Sequence, residues 1–166
     1  MNIVLIGYRG TGKSTVARLV GKRLGWQVVS TDAAIIEKTK RSIPEIVDQF
    51  GWDHFRSLES EVCRTIAGKD CLVIDTGGGV ILKKKNITAL KANGVVVWLT
   101  AEIPTIIKRI GGDNQRPSLT GKKTFAEEIE EVLQERRSKY EAVADHVIPT
   151  DTDSPEHIAA LIVARI

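Results

Sequence analysis

A glycine-rich octapeptide near the start of the chain limits the possible folds more than any other segment. Residues 7–14 read Gly-Tyr-Arg-Gly-Thr-Gly-Lys-Ser and match the pattern G-x-x-x-x-G-K-[ST]. The octapeptide follows an apolar run ending at Ile6 and precedes a segment whose apolar residues recur at helical spacing. A glycine loop between a strand and a helix directs backbone N–H groups at phosphate oxygens, so this setting predicts a phosphate-binding loop.

The residues of this loop suggest separate roles in nucleotide binding. We expect Lys13 to reach the β- and γ-phosphates and the Ser14 hydroxyl to bind Mg²⁺. A glycine turn that only joins a strand to a helix is the alternative interpretation. The candidate ATP-binding residues in this part of the chain are Gly10, Thr11, Gly12, Lys13, Ser14 and Thr15.

Short apolar runs alternate with amphipathic segments along the rest of the chain. The runs are 3–6, 27–29, 71–74, 95–99 and 146–148, and they predict buried strands. Because strands that are apolar on both faces need cover on both faces, we expect one three-layer α/β/α domain over residues 1–166 with a five-stranded parallel sheet. Two segments depart from this alternation of strands and helices. Residues 41–67 predict a helical insertion, and the polar residues 111–124 predict a mobile lid.

Composition excludes several classes of protein. The chain of 166 residues has 24 basic and 21 acidic side chains and a net charge of +3, with no long cationic tract that would indicate nucleic-acid binding. Its longest apolar stretch is about five residues, far below a membrane span. The basic run 83–85 predicts a solvated helix start. We expect a cytoplasmic protein in which Cys63 and Cys71 are reduced, buried thiols.

A phosphate-binding loop alone is compatible with GTPases, motor ATPases and small-molecule kinases. The chain leaves no room for an effector or motor apparatus, and it lacks the N-K-x-D tetrapeptide that reads guanine. Both observations favour a small-molecule kinase with the P-loop kinase fold.

Further motifs lie beyond the loop, and together they carry a family resemblance. They are Thr31-Asp32, Phe55-Arg56 with Glu59, Gly77-Gly78-Gly79, Arg116-Pro117, and Arg136 four residues before Tyr140. With the octapeptide they resemble shikimate kinases over essentially the whole chain. The resemblance implies Mg²⁺-dependent transfer of the γ-phosphoryl group of ATP to the 3-hydroxyl of shikimate, giving shikimate 3-phosphate and ADP in aromatic amino-acid biosynthesis. We also expect a monomer whose partners are small molecules, without nucleic acid or membrane.

The resemblance assigns roles to individual residues. It implies a substrate-binding part of the helical insertion at about 33–61 and a catalytic set of Asp32, Lys13 and Arg116. Arg109, Arg116 and Pro155 would complete the ATP site. The implied shikimate-binding residues are Asp32, Arg56, Gly77, Gly78, Gly79 and Arg136, with Glu59 holding the arginines in place.

Several of these residues also have a purely structural interpretation. Arg56 and Glu59 have the spacing of a surface ion pair, and Arg136 could be a solvated helix residue. A purely structural interpretation is harder for the three glycines, because glycines after a buried strand cost backbone entropy without adding packing. They indicate close approach of the backbone to something.

The chain departs from the family pattern at four positions. Ser30 stands where many members have an aspartate that supports Mg²⁺, whereas Asp75 stands where many have a small residue. We therefore expect Ser14, with Asp75 acting through water, to support the metal. Trp52 replaces a common acid, and Ser118 replaces a common leucine after the Arg-Pro pair. Two other functions remain open: another small-molecule kinase, such as one for gluconate or a nucleotide, and a non-catalytic nucleotide-binding relative.

Overall fold

A computed structural model describes residues 1–111 and 125–166 of the chain. Its five strands are β1 (Asn2–Ile6), β2 (Gln27–Ser30), β3 (Leu72–Asp75), β4 (Gly94–Thr100) and β5 (His146–Pro149). The helices are α1 (Lys13–Leu24), α2 (Thr31–Thr39), α3 (Ile43–Ala67), α4 (Lys84–Lys91), α5 (Ile103–Ile110), α6 (Phe125–Glu141) and α7 (Pro155–Val163), with a 3₁₀ turn at Val80–Leu82. The five predicted strands are confirmed, each to within a residue or two at its ends.

The strands form one parallel sheet in the order β2-β3-β1-β4-β5. Strand β1 lies at the centre and is completely buried. The register pairs Ser30 at the end of β2 with Asp75 at the end of β3. Because all strands run the same way, the segments that follow them meet at one edge, and the octapeptide lies in the middle of that edge.

Each face of the sheet packs against its own helices. Along β1, Ile3 and Leu5 join a core cluster with α1 and α7, whereas Val4 and Ile6 join a cluster with α2, α3 and α4. This alternation follows from the two-residue period of a strand. The predicted three-layer α/β/α architecture is therefore confirmed.

Helices α2 and α3 lie between β2 and β3, where the sequence predicts a helical insertion. The Ser30 side chain caps α2 by accepting from the Ala33 N–H, and Ser42 and Glu45 form a capping box at the start of α3. Within α3, Gly51 has a φ of 81° and kinks the helix. The capped starts and the kink fix the directions in which these helices present side chains.

Two further expectations concern the surface. The basic run 83–85 is exposed and leads into α4, as predicted. Among residues 1–111 and 125–166, no helix combines the length and the apolar character needed to cross a bilayer.

The prediction that both cysteines are buried is wrong for Cys71. The Cys63 side chain, on α3, is buried in the core, but Cys71 is exposed. Its N–H bonds the Met1 carbonyl at 3.1 Å, and its φ of 56° places it in the turn before β3 rather than in the strand. The apolar run therefore begins one residue before the buried strand does.

The two thiols should react at very different rates in the folded protein. Burial, reinforced by the nearby carboxylates of Glu59 and Asp32, raises the pKa of Cys63 to about 12. Since the thiolate is the reactive form, we expect Ellman's reagent at pH 8 to modify Cys71 quickly and Cys63 only after unfolding. Cys71→Ser should remove the fast phase and keep the slow one. Equal native-state rates for both thiols would contradict the placement of Cys63.

Candidate active site

The phosphate-binding loop has the backbone that its glycines permit. Gly10 and Gly12 have φ values of 79° and 90°, a region that side-chain-bearing residues rarely adopt, and Gly12 caps the start of α1. The Lys13 ammonium donates to the carbonyls of Gly7 at 2.8 Å and Tyr8 at 2.9 Å. The Lys13 ammonium is therefore held against the loop, where we expect it to bind the phosphates.

A cluster of oxygen atoms lies beside this loop at the ends of β2 and β3. The Ser14 hydroxyl donates to the Asp75 Oδ2 atom at 2.6 Å. Ser30 and Asp32 line the same cavity as Ser14 and Asp75, next to Lys13. Hydroxyl and carboxylate oxygens are the donors that Mg²⁺ prefers, so these residues fit the divalent ion that ATP-dependent kinases use.

A second cavity brings together most of the residues that the resemblance assigns to the acceptor. Its lining includes Asp32, Arg56, Glu59, Gly77, Gly78, Gly79 and Arg136, with Tyr8, Arg9, Ile43, Trp52 and Phe55 as further members. These residues come from the loop after β1, the start of α2, both halves of α3, the segment after β3, and α6. Asp32 and Arg9 line both this cavity, hereafter the acceptor cavity, and the cavity beside the glycine loop, hereafter the phosphate cavity, so the two cavities adjoin.

Arg56 and Glu59 form a buried ion pair rather than a surface one. The Arg56 Nη1 atom donates to Glu59 Oε2 at 2.9 Å, and the side chains are 10% and 0% exposed. Burial raises the pKa of Glu59, whereas the Arg56 guanidinium lowers it and the Asp32 carboxylate raises it further. The Trp52 and Phe55 rings lie 5.4 and 5.1 Å from the guanidinium carbon. The surface interpretation of this pair is therefore wrong.

Two glycines after β3 make room for charged side chains of the protein itself. A Cβ atom at Gly77 would lie 2.7 Å from Asp32 Oδ1, and one at Gly79 would overlap the Arg56 guanidinium. The Gly77 N–H also donates to the Thr31 hydroxyl at 3.0 Å. The expected close approach is confirmed, although the approaching groups here are Asp32 and Arg56.

Arg136 is not a solvated helix residue either. It is buried on α6, and its Nη1 atom donates to the Gly78 carbonyl at 3.2 Å. Tyr140, one turn further along the same helix, donates its hydroxyl to the same carbonyl. Helix α6 is thereby joined to the glycine segment at a single oxygen.

Arg109 and Pro155, which the resemblance assigns to the ATP site, line one cavity with the loop, hereafter the nucleotide cavity. Arg109 and Pro155 face it together with Gly10, Gly12 and Thr15. The Arg109 guanidinium donates to the Thr150 carbonyl at 2.6 Å, to the Thr150 hydroxyl at 3.0 Å and to the Gly10 carbonyl at 3.2 Å. Thr150 was not a candidate in the sequence, although it directly follows β5 at the edge where ligands bind in such sheets.

Other lining residues of the acceptor cavity were also absent from the sequence candidates. Trp52 was noted only as a departure from the family pattern, but its spacing of four residues from Arg56 places both on one side of a helix. Tyr8 and Arg9 occupy variable positions of the glycine loop, where no motif singles them out. Arg116, Ser118 and the remainder of 112–124 lie outside the described residues, so the predicted lid is not part of this site description.

Comparison with known proteins gives a consistent result. The family model for shikimate kinase matches residues 9–166. A shikimate kinase from Nitratidesulfovibrio vulgaris is 39% identical over 152 residues, which cover 90% of this chain and 86% of the relative. One from Thermodesulfovibrio yellowstonii is 41% identical over 162 residues, covering 98% of this chain and 92% of the relative.

Solved structures agree with the sequence relatives. The shikimate kinase from Acinetobacter baumannii in complex with shikimate superimposes with a TM-score of 0.94 at 32% identity, covering 99% of this chain and 91% of that structure. The matches extend over the loop, the helical insertion, the glycine segment and α6, which together build the two adjoining cavities. The chain belongs to the shikimate kinase family.

Proposed function

We propose that this protein transfers the γ-phosphoryl group of ATP to the 3-hydroxyl of shikimate, giving shikimate 3-phosphate and ADP. The observation that carries the proposal is the shared position of Asp32, which lines both the phosphate cavity and a cavity containing two buried arginines. The names of the relatives support the same acceptor.

The acceptor cavity has the chemistry that shikimate requires. Shikimate carries a carboxylate at one end of its ring and hydroxyls around the rest, so its site needs cations at one side and hydrogen-bonding groups at the other. Arg56 and Arg136 supply guanidinium groups that bind carboxylates through paired N–H donors. Because Glu59 and the Gly78 carbonyl each use one guanidinium nitrogen, the arginines are oriented before the acceptor binds.

Asp32 is the residue that we assign to the reacting hydroxyl. Its carboxylate lies at the start of α2, next to Gly77 and within the electrostatic reach of Glu59. Accepting a hydrogen bond from the 3-hydroxyl would aim that oxygen at the γ-phosphorus. A loose phosphoryl-transfer transition state requires positioning more than early proton removal, so Asp32 acts mainly to orient the nucleophile.

The phosphate side is assigned to the glycine loop and Lys13. The backbone of Gly10, Thr11 and Gly12 and the Lys13 ammonium would bind the phosphates, and Thr15 lines the nucleotide cavity beside them. Arg109 and Pro155 would hold the adenine ring between them, because a guanidinium plane stacks well on a flat ring. The catalytic role of Arg116 remains a prediction from the sequence alone.

Mg²⁺ is the metal that we assign to this site. The Ser14 hydroxyl would bind it directly, and the Asp75 carboxylate would hold its water ligands. When bound, the ion offsets the negative charge that spreads over the phosphate oxygens during transfer. The remaining work, which is to align the acceptor and the phosphates, is done by side chains and backbone of the chain.

Acceptor identity is tested directly by a coupled ADP-release assay with Mg·ATP. Shikimate, quinate, gluconate and nucleoside monophosphates are compared as acceptors at matched concentrations. We expect shikimate to give the highest kcat/KM by a wide margin. Higher turnover with gluconate or a nucleotide would overturn the proposed acceptor, and the absence of ADP release with every acceptor would indicate a non-catalytic relative.

Arg136→Ala should weaken acceptor binding selectively. Its removal leaves the acceptor carboxylate poorly paired in a buried site, which costs on the order of 2 to 4 kcal/mol of transition-state binding. We expect KM for shikimate to rise far more than KM for ATP in steady-state assays. Arg137→Ala is the matched control, because Arg137 is the next residue on α6 but is exposed and pairs with Glu141 on the helix surface. Equal effects of the two substitutions would contradict the carboxylate assignment.

Asp75→Ala should weaken the effect of Mg²⁺ on nucleotide binding. A carboxylate that holds a metal's water ligands typically contributes about 10- to 100-fold to metal affinity or activity. We therefore expect calorimetry to show weaker ADP binding with Mg²⁺ and little change without it, and the Mg²⁺ concentration for half-maximal rate to rise. Adding Ser30→Asp should recover part of the loss, because Ser30 is the register partner of Asp75. An unchanged Mg²⁺ titration in Asp75→Ala would leave Ser14 as the metal-binding residue without this support.

A further inference from the structure

The Gly78 carbonyl is bonded to two side chains of α6 at once. Arg136 donates through Nη1 at 3.2 Å, and Tyr140 donates through its hydroxyl. A carbonyl oxygen has two lone pairs, so these two donors satisfy it fully. Only one of the donors, Arg136, is expected to touch the acceptor, and the contribution of Tyr140 is so far unassigned.

The aromatic ring of Tyr140 is buried and packs against the sheet. The ring is 0% exposed and stacks on Trp98 with a centroid distance of 5.4 Å and an interplanar angle of 16°. Trp98 lies on β4, directly opposite Ile6, the last residue of β1 before the glycine loop. The phenol therefore joins the central strands to the glycine segment through packed, buried groups.

The phenol remains a hydrogen-bond donor at neutral pH. Burial raises the pKa of Tyr140 to about 12, although the adjacent Arg136 guanidinium opposes this shift. The hydroxyl therefore stays protonated under ordinary assay conditions, and its proton is directed at the Gly78 oxygen.

Fixing this carbonyl also fixes the neighbouring peptide group. The Gly78 carbonyl and the Gly79 N–H belong to one planar trans peptide, in which they point in opposite directions. Glycines are the residues whose peptide planes rotate most freely, so an anchored oxygen is needed to hold one orientation. All three glycines line the acceptor cavity, and Gly79 lies against the Arg56 guanidinium.

We propose that Tyr140 is a positioning residue for the acceptor: by bonding the Gly78 carbonyl, it holds the segment Gly77–Gly79 and the Arg136 guanidinium in the arrangement that receives the acceptor. The identity of that acceptor rests on the proposed function, whereas the positioning role does not. A purely structural Tyr140 would stabilise the fold as a whole without any preference for this cavity.

Tyr140→Phe tests the role because it removes the hydroxyl and keeps the ring on Trp98. We expect KM for shikimate to rise about 5- to 10-fold, in line with the loss of one well-aligned hydrogen bond, while KM for ATP changes less than about twofold. In the ligand-free protein, hydrogen exchange followed by mass spectrometry should show faster exchange in the peptide that contains residues 77–82.

Ile162→Val is the matched control for a general loss of stability. Ile162 is buried on α7, in the core cluster on the opposite face of the sheet from Tyr140, and it lines neither the acceptor cavity nor the nucleotide cavity. The substitution removes one buried methylene group and should lower thermal stability without changing KM for shikimate or exchange at residues 77–82.

The outcomes separate this inference from the proposed function. Unchanged KM for shikimate and unchanged exchange in Tyr140→Phe would overturn the positioning role even if the wild type phosphorylates shikimate. Parallel changes in both KM values, as for any destabilised variant, would overturn it as well. If the wild type does not use shikimate, the proposed function fails, and the exchange at residues 77–82 alone decides the role of Tyr140.

Discussion

Strand β1 pairs with a parallel strand on each side, and the site depends on this central placement. Its five residues are fully buried, with alternate side chains packed into the two helical layers. The glycine loop that follows must therefore emerge in the middle of the sheet edge, with β3 and β2 on one side and β4 and β5 on the other. The first side carries Ser30, Asp32 and Asp75, and the second leads to Thr150 and Arg109. The position of β1 thus separates Ser30, Asp32 and Asp75 from Thr150 and Arg109 along this edge of the sheet.

The acceptor cavity concentrates charge where solvent is scarce. Removing a guanidinium and a carboxylate from water is costly, and the cost falls only when each group finds partners of good geometry. Arg56 has Glu59 and two aromatic faces, while Arg136 has the Gly78 carbonyl. A side chain at Gly77 would collide with the Asp32 carboxylate and one at Gly79 with the Arg56 guanidinium, so these two glycines are explained by the free protein before any ligand is considered. An acceptor carboxylate would enter a site whose cations are already oriented, which lowers the entropy lost on binding.

Much of this arrangement could be predicted from the sequence, because the motifs have strong local signals. Apolar runs locate the strands, and the octapeptide locates the phosphate loop with its flanking elements. The resemblance grouped Asp32, Arg56 and Arg136, which lie far apart in the chain, and the structure brings them to one cavity. Contacts made by tertiary packing have no such signal. Stacking of Tyr140 on Trp98 joins residues 42 positions apart, and the Thr150 bonds to Arg109 depend on how β5 ends. The exposure of Cys71 was missed for a related reason, since an apolar run does not show where the buried strand begins.

If Asp75 supports the metal as proposed, the register of β2 and β3 explains how the carboxylate could lie on β3 instead of at the end of β2. Ser30 and Asp75 are paired across the sheet and line the same cavity as Ser14. Serine and aspartate are both good helix caps, so Ser30 keeps the capping bond to Ala33 that an aspartate could also make. The start of α2 therefore does not require a carboxylate at position 30, and the carboxylate can lie at the end of either strand. What the fold fixes is the place where an acid must lie to reach the Ser14 hydroxyl, and the chain satisfies that constraint from β3.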